Sequence, residues 1–293
     1  MASILVTGAS RGIGRAACIS LARAGHRVFA TMRDPAKSPD LSAFATAASL
    51  PIVVSAMDVD SDDSVRRGVG DILAQHGPLD VLVNNAGIER RGSVEELALD
   101  EFRAVMETNY FGAIRCIQAV LPGMRRRGSG CIINVTSVAG RISVSPLGPY
   151  SASKFALEGL SEALAHEVTA LGIRVAIVQP GIIDTDMANA IANAADRSLY
   201  PHGDRLAGLF TASLKTPTGP EIVGDAIRAI IEDGSSQLRY PVGADAAPFL
   251  AWRAAMTDEQ WVDWGAADDA TWYASVERDF GLDARRAEAP SKS

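Results

Sequence analysis

The chain has only three cysteines in 293 residues, Cys18, Cys116 and Cys131. They are odd in number and far apart, which excludes a disulfide framework and any cysteine-based metal spacing. Each reads as a small buried hydrophobe rather than a reactive thiol. No apolar stretch reaches 18 residues, so no membrane span is expected. Met1 leads straight into an apolar run with no basic leader, and a cytoplasmic location is expected. Positive charge is also scarce. The net charge is −7, and Arg125-Arg126-Arg127 is too short for a nucleic-acid surface; it reads as a solvated helix end complementing the dipole. Gly and Pro are not in excess, which excludes disordered and collagen-like chains.

What is present is a βα rhythm. Apolar runs at Ser3–Thr7, Arg27–Met32, Pro51–Ala56, Leu79–Asn84, Cys131–Thr136 and Arg174–Gln179 alternate with helical patterns. The runs are apolar throughout, which predicts strands covered on both faces. The fold class expected is α/β: a single Rossmann-type, doubly wound parallel sheet flanked by helices. Gly25 and Gly172 mark helix ends. Leu99–Arg127 reads as one long helical stretch that Pro122 and Gly123 should end or kink, and Tyr150–Leu171 as an apolar helix. The Rossmann domain is assigned to residues 1–245. Within it, 186–220 has weak periodicity and reads as a substrate lid or as a poorly patterned surface helix pair. Residues 246–293 form a helical extension packed on the same domain. It carries Trp252, Trp261, Trp264 and Trp272, aromatics that cover a core, an oligomer contact or a substrate. Thr257 and Gln260 resemble a capping box, and a frayed end is expected from about Ala284.

Thr7-Gly8-Ala9-Ser10-Arg11-Gly12-Ile13-Gly14 joins the first strand to the first helix. Glycines here let the backbone approach a phosphate and adopt a tight turn, and the helix N-terminus presents free N–H groups. The spacing is not that of a Walker loop, because no Lys-Ser/Thr follows. An acid at the end of the second strand would bind both ribose hydroxyls and repel a 2′-phosphate. Met32 stands there instead. Arg33 follows, and a guanidinium suits a phosphate; Arg11 adds a second cation. These residues favour NADP(H) over NAD(H), unless a shifted register gives Asp34 the acidic role.

Tyr150 and Lys154 lie four apart on one helix face. A free tyrosine ionises near pH 10, and an adjacent ammonium is expected to pull that value down. Tyr150 then serves as general acid toward a carbonyl or base toward an alcohol. Ser137 follows a strand at its carboxyl end, where it can bond a developing oxyanion. Asn109 is an amide within an apolar helical stretch and needs a partner. Asn84-Asn85-Ala86-Gly87 ends the fourth strand.

Thr7-Gly8-x-x-x-Gly12-Ile13-Gly14, Asp58, Asn84-Asn85-Ala86-Gly87, Asn109, Ser137, Tyr150-x-x-x-Lys154 and Pro180-Gly181-x-x-x-Thr185 together resemble the short-chain dehydrogenase/reductase family. Ala30–Pro35 and the long tail look similar to its NADP-dependent hydroxysteroid and retinol dehydrogenase branch. The resemblance implies a catalytic tetrad of Asn109, Ser137, Tyr150 and Lys154, with Asn109 holding a water that links Lys154 to solvent. It implies a cofactor held by Gly8, Ser10, Arg11, Gly12, Ile13, Gly14, Arg33, Asn85, Ala86 and Gly87, together with Tyr150, Lys154, Pro180 and Gly181. Asp58 and Val59 would meet the adenine, and Ile182 and Thr185 the nicotinamide end. It also implies a homodimer or homotetramer built through the stretches Leu99–Arg127 and Tyr150–Leu171.

The expected activity is NADPH-dependent interconversion of a small-molecule ketone or aldehyde and an alcohol. Val144, Pro146, Leu147 and Met187 suggest a bulky apolar substrate, and His202 reads as a surface residue or a distal polar contact. A 3-oxoacyl-carrier-protein ketoreductase would use the same tetrad, with Arg90, Arg91 and Arg141 available to dock an acidic carrier. A non-catalytic NADPH sensor would break the tetrad, which here is complete.

Overall fold

The structure, a computed structural model, describes residues 1–194 and 198–285. Its strands are β1 (Ser3–Thr7), β2 (Arg27–Met32), β3 (Ile52–Ala56), β4 (Val81–Asn84), β5 (Gly130–Val135), β6 (Ile173–Pro180) and β7 (Arg239–Val242). They form one parallel sheet in the order β3-β2-β1-β4-β5-β6-β7. Connections run outward in both directions from the β1/β4 pair, so a crevice opens beyond the carboxyl ends of those two strands.

The helices are α1 (Gly12–Arg23), α2 (Asp40–Ala47), α3 (Asp62–His76), α4 (Leu99–Met106), α5 (Gly112–Arg127), α6 (Gly148–Val168), α7 (Asp186–Ala192), α8 (His202–Ser213), α9 (Glu221–Asp233), α10 (Ala246–Ala254), α11 (Asp258–Ala266) and α12 (Asp269–Phe280). One core layer joins Ile4, Val6, Val28 and Ala30 to Leu21 of α1 and Ile227 of α9. The opposite layer joins Leu5, Phe29 and Leu82 to Ile72 of α3, Met124 of α5 and Leu164 of α6. Successive strand side chains alternate between the two layers, and both are apolar because helices cover both faces. The edge strand β3 departs from this pattern: Val53 is exposed, since an edge strand has a neighbour on one side only.

One expectation for the helices is corrected. Pro122 does not end α5, which continues to Arg127. The buried Val120 and Met124 flank it and hold the turn in place. The interruption falls earlier, at a π-turn over Glu107–Phe111. The weakly periodic stretch after residue 186 holds two helices, α7 and α8, and parts of the predicted lid and extension (195–197 and 286–293) lie outside the described residues. The frayed end expected from Ala284 falls mainly on that second segment; Ala284 itself is buried.

The tail folds into α10–α12. Thr257 and Gln260 form the expected capping box. Trp261 and Trp264 stack with centroids 5.0 Å apart, and Trp252 packs edge-on against both. Arg205 of α8 is buried against the Trp272 ring, 5.6 Å from its centre; it pairs with Asp269 at 2.7 Å and donates to the carbonyls of Gly265 and Ala267. All three cysteines are buried. Burial raises the Cys18 thiol strongly and pushes Cys116 to about 12 and Cys131 to about 11.

Helix α9 packs tightly on α1 at Gly224, where a Cβ would stand 2.9 Å from the Ala16 carbonyl. Gly224→Val should force the two helices apart. Overpacking of this kind costs about 1–3 kcal/mol, which in a chain of this length lowers Tm by about 5 °C. Thermal unfolding followed by circular dichroism checks this, and an unchanged Tm would show that the contact yields.

Candidate active site

Thr7 Oγ1 accepts from the backbone N–H groups of Asn85 and Ala86, both at 3.0 Å. In return Asn85 Nδ2 donates to the carbonyls of Thr7 and Gly8 at 3.0 and 3.2 Å. The glycine turn is thereby bolted to the end of β4. Gly8 has φ +66°, and a Cβ there would lie 2.7 Å from Ala86 Cα. A Cβ at Gly14 would lie 2.3 Å from the Gly8 carbonyl oxygen. The first turn of α1 has no side-chain cap and no acidic residue. Its N–H groups are therefore free for an anion. A close-approach turn at an uncapped helix N-terminus suits a nucleotide pyrophosphate.

One cavity of about 550 Å³ runs from this turn to the tail helices. Every sequence-predicted cofactor residue borders it: Gly8, Ser10, Arg11, Gly12, Ile13, Gly14, Arg33, Asp58, Val59, Asn85, Ala86, Gly87, Pro180, Gly181, Ile182 and Thr185. Ser137, Tyr150 and Lys154 border it too. Asn109 does not. It is buried one layer behind, carried by the π-turn, and it bonds Ile88 in both directions and Ser153 Oγ. Such a bulge rotates a residue out of the regular helical ladder. It thereby supplies the partner the amide needed.

At the end of β2, Met32 is buried and Arg33 borders the cavity. Arg33 pairs with Asp58 at 3.3 Å and Asp60 at 2.9 Å. Asp34 turns away: its carboxylate accepts from the Ala36 N–H and pairs with Lys37. Arg11 pairs with Asp186 at 3.2 Å.

Lys154 is buried and donates to the Val135 carbonyl at 3.0 Å. Its Nζ stands 5.6 Å from the centre of the Tyr150 ring. Burial pulls the ammonium down to about 8, against the opposing pull of Glu158. The Tyr150 phenol is pushed up to about 12, chiefly by burial; a hydrogen bond with Ser137 draws it down and the charge of Glu89 raises it. The expected lowering by Lys154 is not what dominates here. Desolvation of the phenolate outweighs attraction to a lysine that is itself losing its charge to burial.

Sequence reasoning overlooked several groups. Asp245 accepts from the Ile182 N–H at 2.8 Å, and Gly181 leaves room for its carboxylate, whose oxygen a Cβ would approach to 2.0 Å. Its approach to the Pro180-Gly181 turn is visible only in three dimensions. Phe249, also missed, joins Trp252, Trp261 and Trp264 in walling the far end of the cavity, so those three cover a substrate space, one of the roles the sequence allowed them. Of the predicted substrate contacts, Val144, Leu147 and Met187 line it and Pro146 does not. His202 lines a separate smaller cavity and bonds the Gly265 carbonyl. Arg90 and Arg91 are ion-paired with Glu101 and Glu89.

The short-chain dehydrogenase family model matches residues 2–196. The chain belongs to the short-chain dehydrogenase family, whose members use nicotinamide cofactors to interconvert alcohols and carbonyls. Similarity places it in that family's retinol dehydrogenase-like branch. It is 39% identical to human retinol dehydrogenase 8 over 245 residues, covering 80% of this chain and 78% of the relative. A solved short-chain dehydrogenase from Streptomyces avermitilis superposes with TM-score 0.76 at 34% identity, covering 90% of this chain and 96% of that one. A gluconate 5-dehydrogenase from Burkholderia cenocepacia, solved with NADP and tartrate, gives TM-score 0.72 at 26% identity, covering 84% and 95%. Among the described residues no helix is long and apolar enough to cross a membrane, and no cluster of metal-ligating side chains occurs.

The lowered Lys154 value has a thermodynamic signature. Between about pH 8 and 10.5 the unfolded lysine holds a proton that the folded one has released. Stability contributed by this group therefore rises with pH across that window. Lys154→Met should flatten the rise. Urea midpoints of the two proteins at pH 7.5 and 9.5 test this, and a difference that does not change with pH would contradict it.

Proposed function

We propose that the protein is an NADPH-dependent oxidoreductase acting on a bulky, apolar ketone, aldehyde or secondary alcohol. The observation that carries this reading is that Tyr150, Ser137 and Lys154 border the same cavity as the uncapped glycine turn. The bound nicotinamide supplies or accepts the hydride. Tyr150, protonated at neutral pH, gives its phenolic proton to the substrate oxygen, or takes one back in the reverse direction. Ser137 holds that oxygen as charge develops. Lys154 orients the cofactor ribose and returns a proton to Tyr150. Asn109, tied to Ile88 and Ser153, acts through the backbone wall and the water it orders.

NADPH in preference to NADH is supported by Met32 standing where an acid would repel the 2′-phosphate, by Asp34 being occupied elsewhere, and by Arg33 at the cavity edge. The solved relative with NADP bound agrees with it. The apolar substrate is supported by the tryptophan wall and by the name of the retinol dehydrogenase relative. With Arg90 and Arg91 paired to acids, carrier docking has less to stand on. In this reading residues 1–245 form the Rossmann unit, 186–220 its lid and 246–293 a cap. The protein works as a cytoplasmic homodimer or homotetramer, for which the exposed Phe111 and Phe155 offer contact surface.

Turnover of NADPH with a panel of apolar ketones tests the reading directly; tight cofactor binding with no turnover would favour a sensor. Tyr150→Phe should lower kcat by about a hundred-fold while the cofactor Kd stays nearly constant, because only the proton-transfer group is lost. Retained activity would remove Tyr150 from that role. Arg33→Ala should weaken NADPH about ten-fold more than NADH, read from the ratio of their KM values. Equal losses would reverse the cofactor assignment.

A further inference from the structure

Arg33, the cation at the end of β2, is held by two carboxylates rather than one. Its Nε donates to Asp58 Oδ1 at 3.3 Å, and its Nη2 donates to Asp60 Oδ2 at 2.9 Å. One guanidinium therefore faces two negative charges, and the three side chains together are anionic. The two acids differ in place. Asp58 borders the cavity, whereas Asp60 does not and meets it through Arg33, which does.

Asp60 is also tethered. The Oδ2 that receives the guanidinium accepts in addition from Thr108 Oγ1 at 3.1 Å, and Thr108 is buried on the π-turn. The Asp60 backbone N–H donates to Asp58 Oδ1 at 3.2 Å. The Asp60 side chain is 29% exposed, against 64% for Arg33. An ordinary surface ion pair gives way to a third ion because both of its side chains swing freely in water. Here the carboxylate is pinned from the protein side, and it stays beside the guanidinium when a ligand arrives. A phosphate is drawn by the positive charge left after the neighbouring acids are counted, whereas an uncharged ribose hydroxyl responds to it weakly.

We propose that Asp60 is a determinant of cofactor choice that acts through Arg33. Its pinned carboxylate offsets part of the guanidinium's charge, so the margin of NADPH over NADH is narrower than Arg33 alone would set. The proposal rests on the oxidoreductase reading of the cavity and on Arg33 meeting the 2′-phosphate. Asp60 is a positioning residue in it, with no contact to the cofactor.

Asp60→Asn tests it, because the amide oxygen still accepts from Arg33 and Thr108 while the charge is gone. Dissociation constants for NADPH and NADH are read from the fluorescence of the reduced nicotinamide, with no turnover needed. The substitution should tighten NADPH about three-fold and leave NADH nearly unchanged. Asp60→Ser, which also removes the charge, should move the ratio in the same direction. In an Arg33→Ala background Asp60→Asn should leave the ratio where it was. A ratio unmoved by both Asp60 variants would overturn the proposal, and so would an equal loss of both cofactors, the mark of a purely structural role. A gain that persists without Arg33 would overturn it too. The oxidoreductase reading is judged separately, by whether the unaltered protein binds either cofactor; if it binds neither, that reading fails and the proposal with it.

Discussion

The reciprocal bonding between Thr7 and Asn85 is the constraint on which the site depends. A glycine turn gains its close approach to a ligand by giving up side chains, and so it cannot hold its own shape. Here the hydroxyl of Thr7 and the amide of Asn85 hold it from the neighbouring strand. Asn84 and Asn134 continue the same tie across β4 and β5, and Ser161 carries it into α6. The helix that bears Tyr150 and Lys154 is thus in register with the turn through buried side-chain bonds. In a low-dielectric interior these bonds are stiff, because no water competes for them.

The same dryness sets the chemistry. Burial raises the phenol and lowers the amine, so at neutral pH Tyr150 keeps its proton and Lys154 is close to releasing one. The two proton affinities, nearly equal in the free side chains, are thus driven apart, so that Tyr150 holds its proton while Lys154 is the first of the pair to release one. Glu158, buried at the next turn of α6, limits the drop of Lys154 and is itself held by Thr136, Gln179 and Arg239.

Much of this was legible in the sequence, for a physical reason. The glycine turn, the strand ends and the Tyr-Lys pair are governed by local geometry, and local geometry is written in consecutive residues. Strand β2 ended at Met32 as its apolar run indicated, which put Arg33 rather than Asp34 at the cavity. What the sequence left hidden depends on contacts between distant segments. The π-turn at Glu107–Phe111 has no periodic signature, whereas Pro122, the visible helix breaker, sits inside a continuous helix. The balance of Tyr150 between a neighbouring charge and desolvation could not be judged without knowing how deeply the pair is buried. Asp245 sits 64 positions beyond Gly181 yet serves the same loop. The tryptophans are visible in the sequence as a cluster, but the wall they form depends on Arg205 anchoring α11 and α12.

That anchoring divides the chain by labour as well as by position. The strand ends and the turn are complete by Thr185, whereas the far wall of the cavity is drawn from later segments held by one buried guanidinium and a few stacked rings. Changes in the tail can therefore reshape what fits without disturbing the groups that move protons. A lineage diversifying from this scaffold would be expected to vary most between α10 and α12 and least at the ends of β1 and β4.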